Sequence, residues 1–377
     1  MKLIASLTLI LALAGCQPIR QIACVPSAES RMFLEDLAAG GAESELERKT
    51  APPRRSLVTY RVEGRPGEGE LYEPVDGASA GVVLVPGAAE AGREDPRMVS
   101  FARALARSGF AVLVPELANV RRFQLRPADA RAVADAFVYL AGRPALAPEG
   151  RVGFAGISYA VGPAVIAALE PDVRDRVRFV LGVGPYYDLG NTITYFTTGY
   201  HREPGGAWRH QAPLDYGKWA FIAGNLDRFE HEGDRRLLKA WSERLLADPA
   251  AVDEDLASGL ETPEARALHA LMRNRDPEAV PGLIAQLPAS VRADLEGLDL
   301  ASRDLSGLKA RMIIVHGYDD RLVPYTESLR LARALPADRT RLFLVNGLDH
   351  VDFERPGFLD LWGLGCAVNA LLDERRR

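Results

Sequence analysis

The sequence is poor in lysine, in cysteine and in long hydrophobic runs. Only 5 of its 46 basic residues are Lys. The others are Arg, interleaved with 51 acidic residues to a net charge of −5, so no one-signed stretch marks a nucleic-acid partner. Three cysteines, Cys16, Cys24 and Cys366, offer no paired-cysteine metal motif. No apolar run reaches the roughly 20 residues that span a bilayer, which excludes a polytopic membrane protein. There is no internal repeat and no low-complexity tract. What remains is ordinary globular usage, 47% hydrophobic and 26% charged over 377 residues. That length allows one large domain with an insertion or two modest ones.

Residues 1–15 and Cys16 read M-K-L-I-A-S-L-T-L-I-L-A-L-A-G-C: one positive charge, an apolar run from Leu3 to Leu13, small residues and a cysteine. This is the pattern of an export signal. Leu13-Ala14-Gly15-Cys16 resembles the lipobox of bacterial lipoproteins, which implies acylation of Cys16 and a lipid anchor in the cell envelope. Gln17 in place of Asp implies the outer membrane, with the folded part facing the periplasm. In that oxidising compartment the two other cysteines, Cys24 and Cys366, either bridge and tie the N-terminal arm to the core or stay as two free thiols.

Residues 16–55 are rich in Ala, Gly, Glu and Pro and read as a tether with one helix near Ser30–Leu46. From Ser56 the texture changes. Ser56–Glu63 and Gly69–Glu73 read as strands around a turn at Gly64–Gly67. Continuous apolar runs then alternate with helical patterns. The runs are Gly81–Val85, Phe110–Val114, Arg151–Ala155 and Val177–Val183; the helices are Pro96–Ser108, Ala128–Leu140 and Ser158–Leu169. Runs without polar alternation are strands buried on both faces, so the expectation is an α/β fold, a mostly parallel sheet covered by helices. Residues 191–305 break the rhythm with aromatic and Gly-rich loops, helical patterns and no strand-like run, which reads as a helical cap inserted after strand 6. Core patterning resumes over 306–377, with strands Arg311–His316 and Arg341–Asn346 and helices Pro324–Leu335 and Phe358–Leu372. The core is thus expected in two parts, 56–190 and 306–377.

Gly156-Ile157-Ser158-Tyr159-Ala160 lies between a predicted strand and a predicted helix. A nucleophile elbow needs a strained turn there, with small residues two positions to either side of the Ser, and Gly156 and Ala160 meet that condition. A serine needs a base and an orienting acid. Of the six histidines, His201, His210, His231 and His269 fall in the insertion. His316 precedes any acid it would have to follow, which leaves His350 in the loop after the last strand.

His316-Gly317-Tyr318-Asp319-Asp320-Arg321-Leu322-Val323-Pro324 resembles the H-G-x-x-D-x-x-V-P motif of the α/β-hydrolase family. The resemblance covers roughly residues 56–190 and 306–377, with the Ser, Asp and His motifs in family order. It implies Asp320 as triad acid, with Asp319 its understudy, and a structural His316. It also implies an oxyanion hole from the backbone N–H groups of Ala88 and Tyr159. Pro86-Gly87 stands where the family often has His-Gly, which argues against a specific lipase branch and toward dienelactone-hydrolase-type or peptidase-type relatives.

Several other residues are candidates for site roles. Asp188 is the alternative acid one strand earlier. Arg121 and Arg122 either face an anionic substrate or sit in a solvated loop. Tyr186, Tyr187, Tyr195, Phe196 and Trp208 either line an acyl or aryl pocket or pack the cap. Glu230-His231-Glu232-Gly233-Asp234, with His201 and His210, lacks metal-ligand spacing, so no metal and no cofactor are expected. The expected function is a serine hydrolase acting on a small-molecule acyl substrate, an ester first and a thioester or amide next. An acyltransferase with the same triad and a catalytically silent envelope lipoprotein are the rivals.

Overall fold

The computed structural model describes residues 24–248, 256–350, 352–353 and 356–377. The leader and Cys16 lie outside the described residues. Eight strands make the central sheet: β1 (Arg54–Val62), β2 (Arg65–Glu73), β3 (Ala80–Val85), β4 (Phe110–Pro115), β5 (Val152–Ile157), β6 (Val177–Val183), β7 (Arg311–Gly317) and β8 (Thr340–Val345). Their order is β1-β2-β4-β3-β5-β6-β7-β8, parallel from β4 to β8 and antiparallel through β1 and β2. This is the α/β-hydrolase fold.

The central strands carry Val, Leu, Ile and Ala because helices cover both faces; every residue of β3 and β4 is buried. One face holds α3 (Pro96–Arg107) and α14 (Phe358–Leu372). The other holds α4 (Ala128–Ala141), α5 (Val161–Leu169) and α13 (Thr326–Ala334). The β1–β2 turn is tighter than the spacing suggested. Glu63 and Gly64, both at positive φ, form it alone, and β2 already runs through Gly67 and Gly69. Those glycines belong to the strand because the Tyr60 ring lies across Gly67, where a Cβ would come within 2.2 Å of it.

The arm is docked where a tether was expected. Helices α1 (Ala28–Ala38) and α2 (Glu45–Lys49) bury Phe33 and Leu46, and Phe33 meets Phe101 of α3 edge to face. Ser27 donates its amide to Asn369 Oδ1 at 3.1 Å, and Trp362 donates to the Cys24 carbonyl at 2.8 Å. Cys24 and Cys366 form a disulfide with Cα atoms 5.9 Å apart. A composition rich in Ala and Glu reads as solvated, and these long-range partners in α14 carry no local signal.

Between β6 and β7 lie α6 (Leu189–Thr198), α7 (Tyr216–Asn225), α8 (Glu232–Ala247), α9 (Leu256–Gly259), α10 (Pro263–Arg273), α11 (Val280–Ile284) and α12 (Ala289–Leu298). They close around their own apolar cluster, including Phe196, Ile222, Leu238, Trp241 and Leu271. The cap also contains a two-residue ribbon, Tyr200–His201 against Arg209–His210, where no strand was expected. A pairing that short is below what alternation in a sequence reveals.

Candidate active site

Sheet register sets the site. Ile157 pairs with Val183, and Val183 with Val315, so β5 and β6 release Ser158 and Gly184 at one edge while β7 runs two residues further, to Gly317. Strand spacing puts the β5 and β7 ends about 10 Å apart. Ser158 follows β5 at φ 57°, a left-handed backbone that a non-glycine residue adopts only where its surroundings impose it. The imposing contacts are close. A Cβ on Gly156 would lie 2.9 Å from the Ala160 carbonyl carbon, and one on Gly162 would strike the Tyr186 hydroxyl. A single 3₁₀ turn, Ser158–Ala160, precedes α5, so the helix starts one turn later than its sequence pattern implied.

The acid loop follows β7. Gly317 touches the next loop so closely that a Cβ there would overlap the Leu348 carbonyl, which gives the glycine of the H-G-x-x-D pattern its reason. Asp320 is buried, and its Oδ1 accepts the amides of Leu322 at 2.8 Å and Val323 at 2.9 Å. His350 Nδ1 donates to Asp320 Oδ2 at 3.0 Å. That bond leaves Nε2 of the neutral ring as an acceptor. His350 sits at φ 59° with its side chain 15% exposed. Burial pushes the Asp320 carboxyl up, yet the charge and hydrogen bonds of His350 and His316 outweigh it and hold Asp320 well below the carboxylate range. Burial pushes the His350 ring down, but the charge and hydrogen bond of Asp320 together with the Asp349 charge outweigh it, so His350 titrates above an ordinary histidine.

Acid and base are therefore joined. The Ser158 hydroxyl has no hydrogen bond among the described residues, to His350 or to any other group. Gly184 connects the two halves: it stands at the end of β6 beside the elbow strand, and a Cβ on it would lie 3.2 Å from Asp320 Oδ2 and 3.7 Å from His350 Nδ1.

Ala88 and Tyr159 line a cavity of about 130 Å³ under the cap, together with Phe123, Leu189, Ile193 and Phe221. The Ala88 amide donates to no acceptor among the described residues, while its carbonyl accepts from the Tyr216 hydroxyl of α7 at 3.3 Å. Thus the cap pins the loop that carries Ala88.

Most of the remaining candidates have structural partners. His316 is fully buried, accepting from Ser328 Oγ at 2.6 Å and donating from Nε2 to the Val323 carbonyl at 2.9 Å. It is also 3.3 Å from Asp320 Oδ2, a contact its sequence position did not suggest. Asp319 accepts the Gly347 amide at 2.9 Å, and Asp188 caps α6 through the Asn191 amide. Arg121 pairs with Glu116 at 2.9 Å. Tyr186 donates to the Leu298 carbonyl, Tyr195 to the Asp320 carbonyl at 3.1 Å, and Trp208 to Glu278, so these aromatics fasten the cap and do not line the small cavity. His231 caps α8 by accepting the Asp234 amide. Among the described residues no group of three His, Cys, Asp or Glu side chains is placed to hold a metal ion.

Sequence reasoning missed one pair. The Arg321 amide donates to Asp349 Oδ1 at 3.1 Å and its Nε to Oδ2 at 2.7 Å, a clamp made by the immediate neighbours of Asp320 and His350. The adjacency of Asp-Arg and Asp-His dipeptides was its only trace in the sequence.

No protein-family model and no curated protein sequence matches the chain. Solved structures do. A puromycin-hydrolyzing peptidase of Mycobacterium tuberculosis matches at 16% identity and a TM-score of 0.48, over 86% of this chain and 38% of that one. The chain therefore spans well under half of that peptidase. The dienelactone hydrolase of Anabaena variabilis matches at 17% identity and 0.42, over 84% of this chain and 97% of that one. A Pyrobaculum calidifontis esterase matches at 16% identity and 0.47, over 100% and 98%.

Proposed function

We propose that the chain is a serine hydrolase of the α/β-hydrolase type that cleaves a carboxylic ester through an acyl-enzyme. The observation that carries this reading is the alignment of three neighbouring strands. The Ser158 elbow and the joined Asp320–His350 pair meet at one sheet edge, with Gly184 between them. His350 Nε2 takes the proton of Ser158 as its Oγ attacks the acyl carbon. Asp320 fixes the ring's tautomer and stabilises the imidazolium. The Ala88 and Tyr159 amides receive the oxyanion, His350 returns the proton to the departing alcohol, and water then releases the acid. The Ser158–His350 hydrogen bond is absent from this structure, and such catalytic bonds commonly form only with substrate bound. We also propose that Cys16 anchors the enzyme by lipid in an oxidising envelope compartment, a reading that agrees with the Cys24–Cys366 disulfide.

Turnover of p-nitrophenyl esters tests the reaction. Wild type is expected to hydrolyse them and Ser158→Ala to lose at least about 10³-fold in kcat while keeping its fold. Equal rates in the two proteins would defeat the proposal. Product analysis with added alcohols and amines distinguishes hydrolysis from acyl transfer.

A further inference from the structure

A second and far larger cavity, about 950 Å³, lies on the other face of the sheet from α5 and the small pocket. Its floor is the same sheet edge. Ile157, which precedes Ser158, Val183, which precedes Gly184, and Leu348, two residues before His350, all line it. Ser158 itself lines neither cavity, but its predecessor lines the large one and its successor the small one. The far wall is built by the docked arm, through Leu34 and Leu37 one helical turn apart on α1, with Val99 of α3 and Val368 of α14 beside them. Ile157, Val183, Leu34, Leu37 and Val99 are all only partly buried although they belong to core elements. The cavity is open to solvent on one side, and a hollow of this size lined by aliphatic side chains is a place for an apolar occupant. It falls within the range of about 300–1,000 Å³ that small-molecule sites occupy. The charged residues on its wall, Arg97, Arg103, Asp36 and Glu47, are exposed or half-buried.

We propose that this cavity takes one long alkyl chain, that of the ester whose carbonyl reaches Ser158, which makes the substrate a long-chain fatty acyl ester. The assignment rests on the hydrolase reading for the reaction and on the cavity alone for the ligand. The arm is then part of the binding site. Cys366, one residue before the wall residue Ala367, holds Cys24 in the disulfide, so the covalent link fixes the wall that α1 supplies. Each buried methylene favours a longer chain by up to about fourfold, expressed in KM more than in kcat because the tail is held equally in ground and transition states.

Two measurements test it. With p-nitrophenyl butyrate and decanoate, wild type is expected to favour decanoate in kcat/KM by at least about tenfold. Val99→Trp and Leu37→Trp, which fill the cavity from two different helices, are expected to lower that ratio about tenfold, through KM. An unchanged ratio in a filled variant with wild-type circular dichroism overturns the site. Calorimetric titration of laurate into Ser158→Ala, which needs no nucleophile, is expected to show one site per chain, lost on adding Val99→Trp. Failure of Ser158→Ala to bind laurate overturns the site whether or not the filled variants fold. Laurate binding without turnover of any ester would instead overturn the hydrolase reading and leave the alkyl-chain site standing.

Discussion

Asp320 accepts from three groups, two backbone amides on one oxygen and His350 on the other, and His316 Nε2 lies 3.3 Å from that second oxygen. That environment stabilises its ionised form, and the ionised form in turn raises the pKa of His350. The catalytic base must be neutral, so kcat/KM on a non-titrating ester is expected to fall as pH drops through a midpoint above the usual histidine value of about 6.5. No second acid limb from Asp320 should appear at milder pH. Asp320→Asn removes the charge that opposes burial, so the midpoint should move down as kcat falls about 10³–10⁴-fold. A pH–rate profile checks both, and an unmoved midpoint in Asp320→Asn would contradict the pairing. At this scale the sequence was informative about the candidate groups and silent about their supports. The H-G-x-x-D spacing led to Asp320, and elimination among six histidines led to His350. Gly184, the Tyr195 hydroxyl and the Arg321–Asp349 clamp reach the site only through contacts between distant segments, which leave no local pattern.

Strands and helices hold these residues through junctions, and the junction between β6 and α6 has an unusual anchor. Glu327 of α13 is buried, and its Oε2 accepts the amides of Tyr187 and Asp188 at 3.1 and 2.7 Å. Burial pushes its pKa up to about 8, against partial relief from those amides and from Arg330. The folded state therefore holds a proton that the unfolded chain releases near pH 4.3. Its contribution to stability is complete below that value and is lost progressively as pH rises toward about 8. Glu327→Gln keeps the acceptor and cannot ionise. Its unfolding free energy is expected to exceed that of wild type by a few kcal/mol at about pH 9, with a smaller difference at about pH 5. Urea denaturation at the two pH values measures this, and parallel losses in both proteins would refute it. Elements were the most legible scale. All eight sheet strands were anticipated, the six parallel ones because buried parallel strands write themselves as unbroken apolar runs. The errors came where other forces act: the β1–β2 turn, set by the Tyr60 ring, and the start of α5, delayed by the strained elbow.

At the scale of the molecule, the chain is one sheet whose C-terminal edge carries the candidate site, with a self-packed cap over one side and an arm fastened across the other. The insertion was legible because its apolar residues follow helical spacing for about a hundred positions without a buried-strand run. The docking of the arm was not, since Phe33, Leu46 and Cys24 meet partners as far as 342 residues away. The proposed lipid anchor belongs to this scale as well. Expressed with its leader in a Gram-negative host, the protein is expected to enter the detergent phase on Triton X-114 partition, and Cys16→Ser to remain in the aqueous phase. Identical partition of both would exclude acylation at Cys16.

The central claim is that Ser158 is an activated nucleophile served by His350 and Asp320. Fluorophosphonate labelling with peptide mapping tests it most directly. The account predicts a single phosphonylated residue, Ser158, with labelling abolished in Ser158→Ala and slowed at least about 10²-fold in His350→Ala. A folded protein that never labels, or one that labels at another serine, would contradict it.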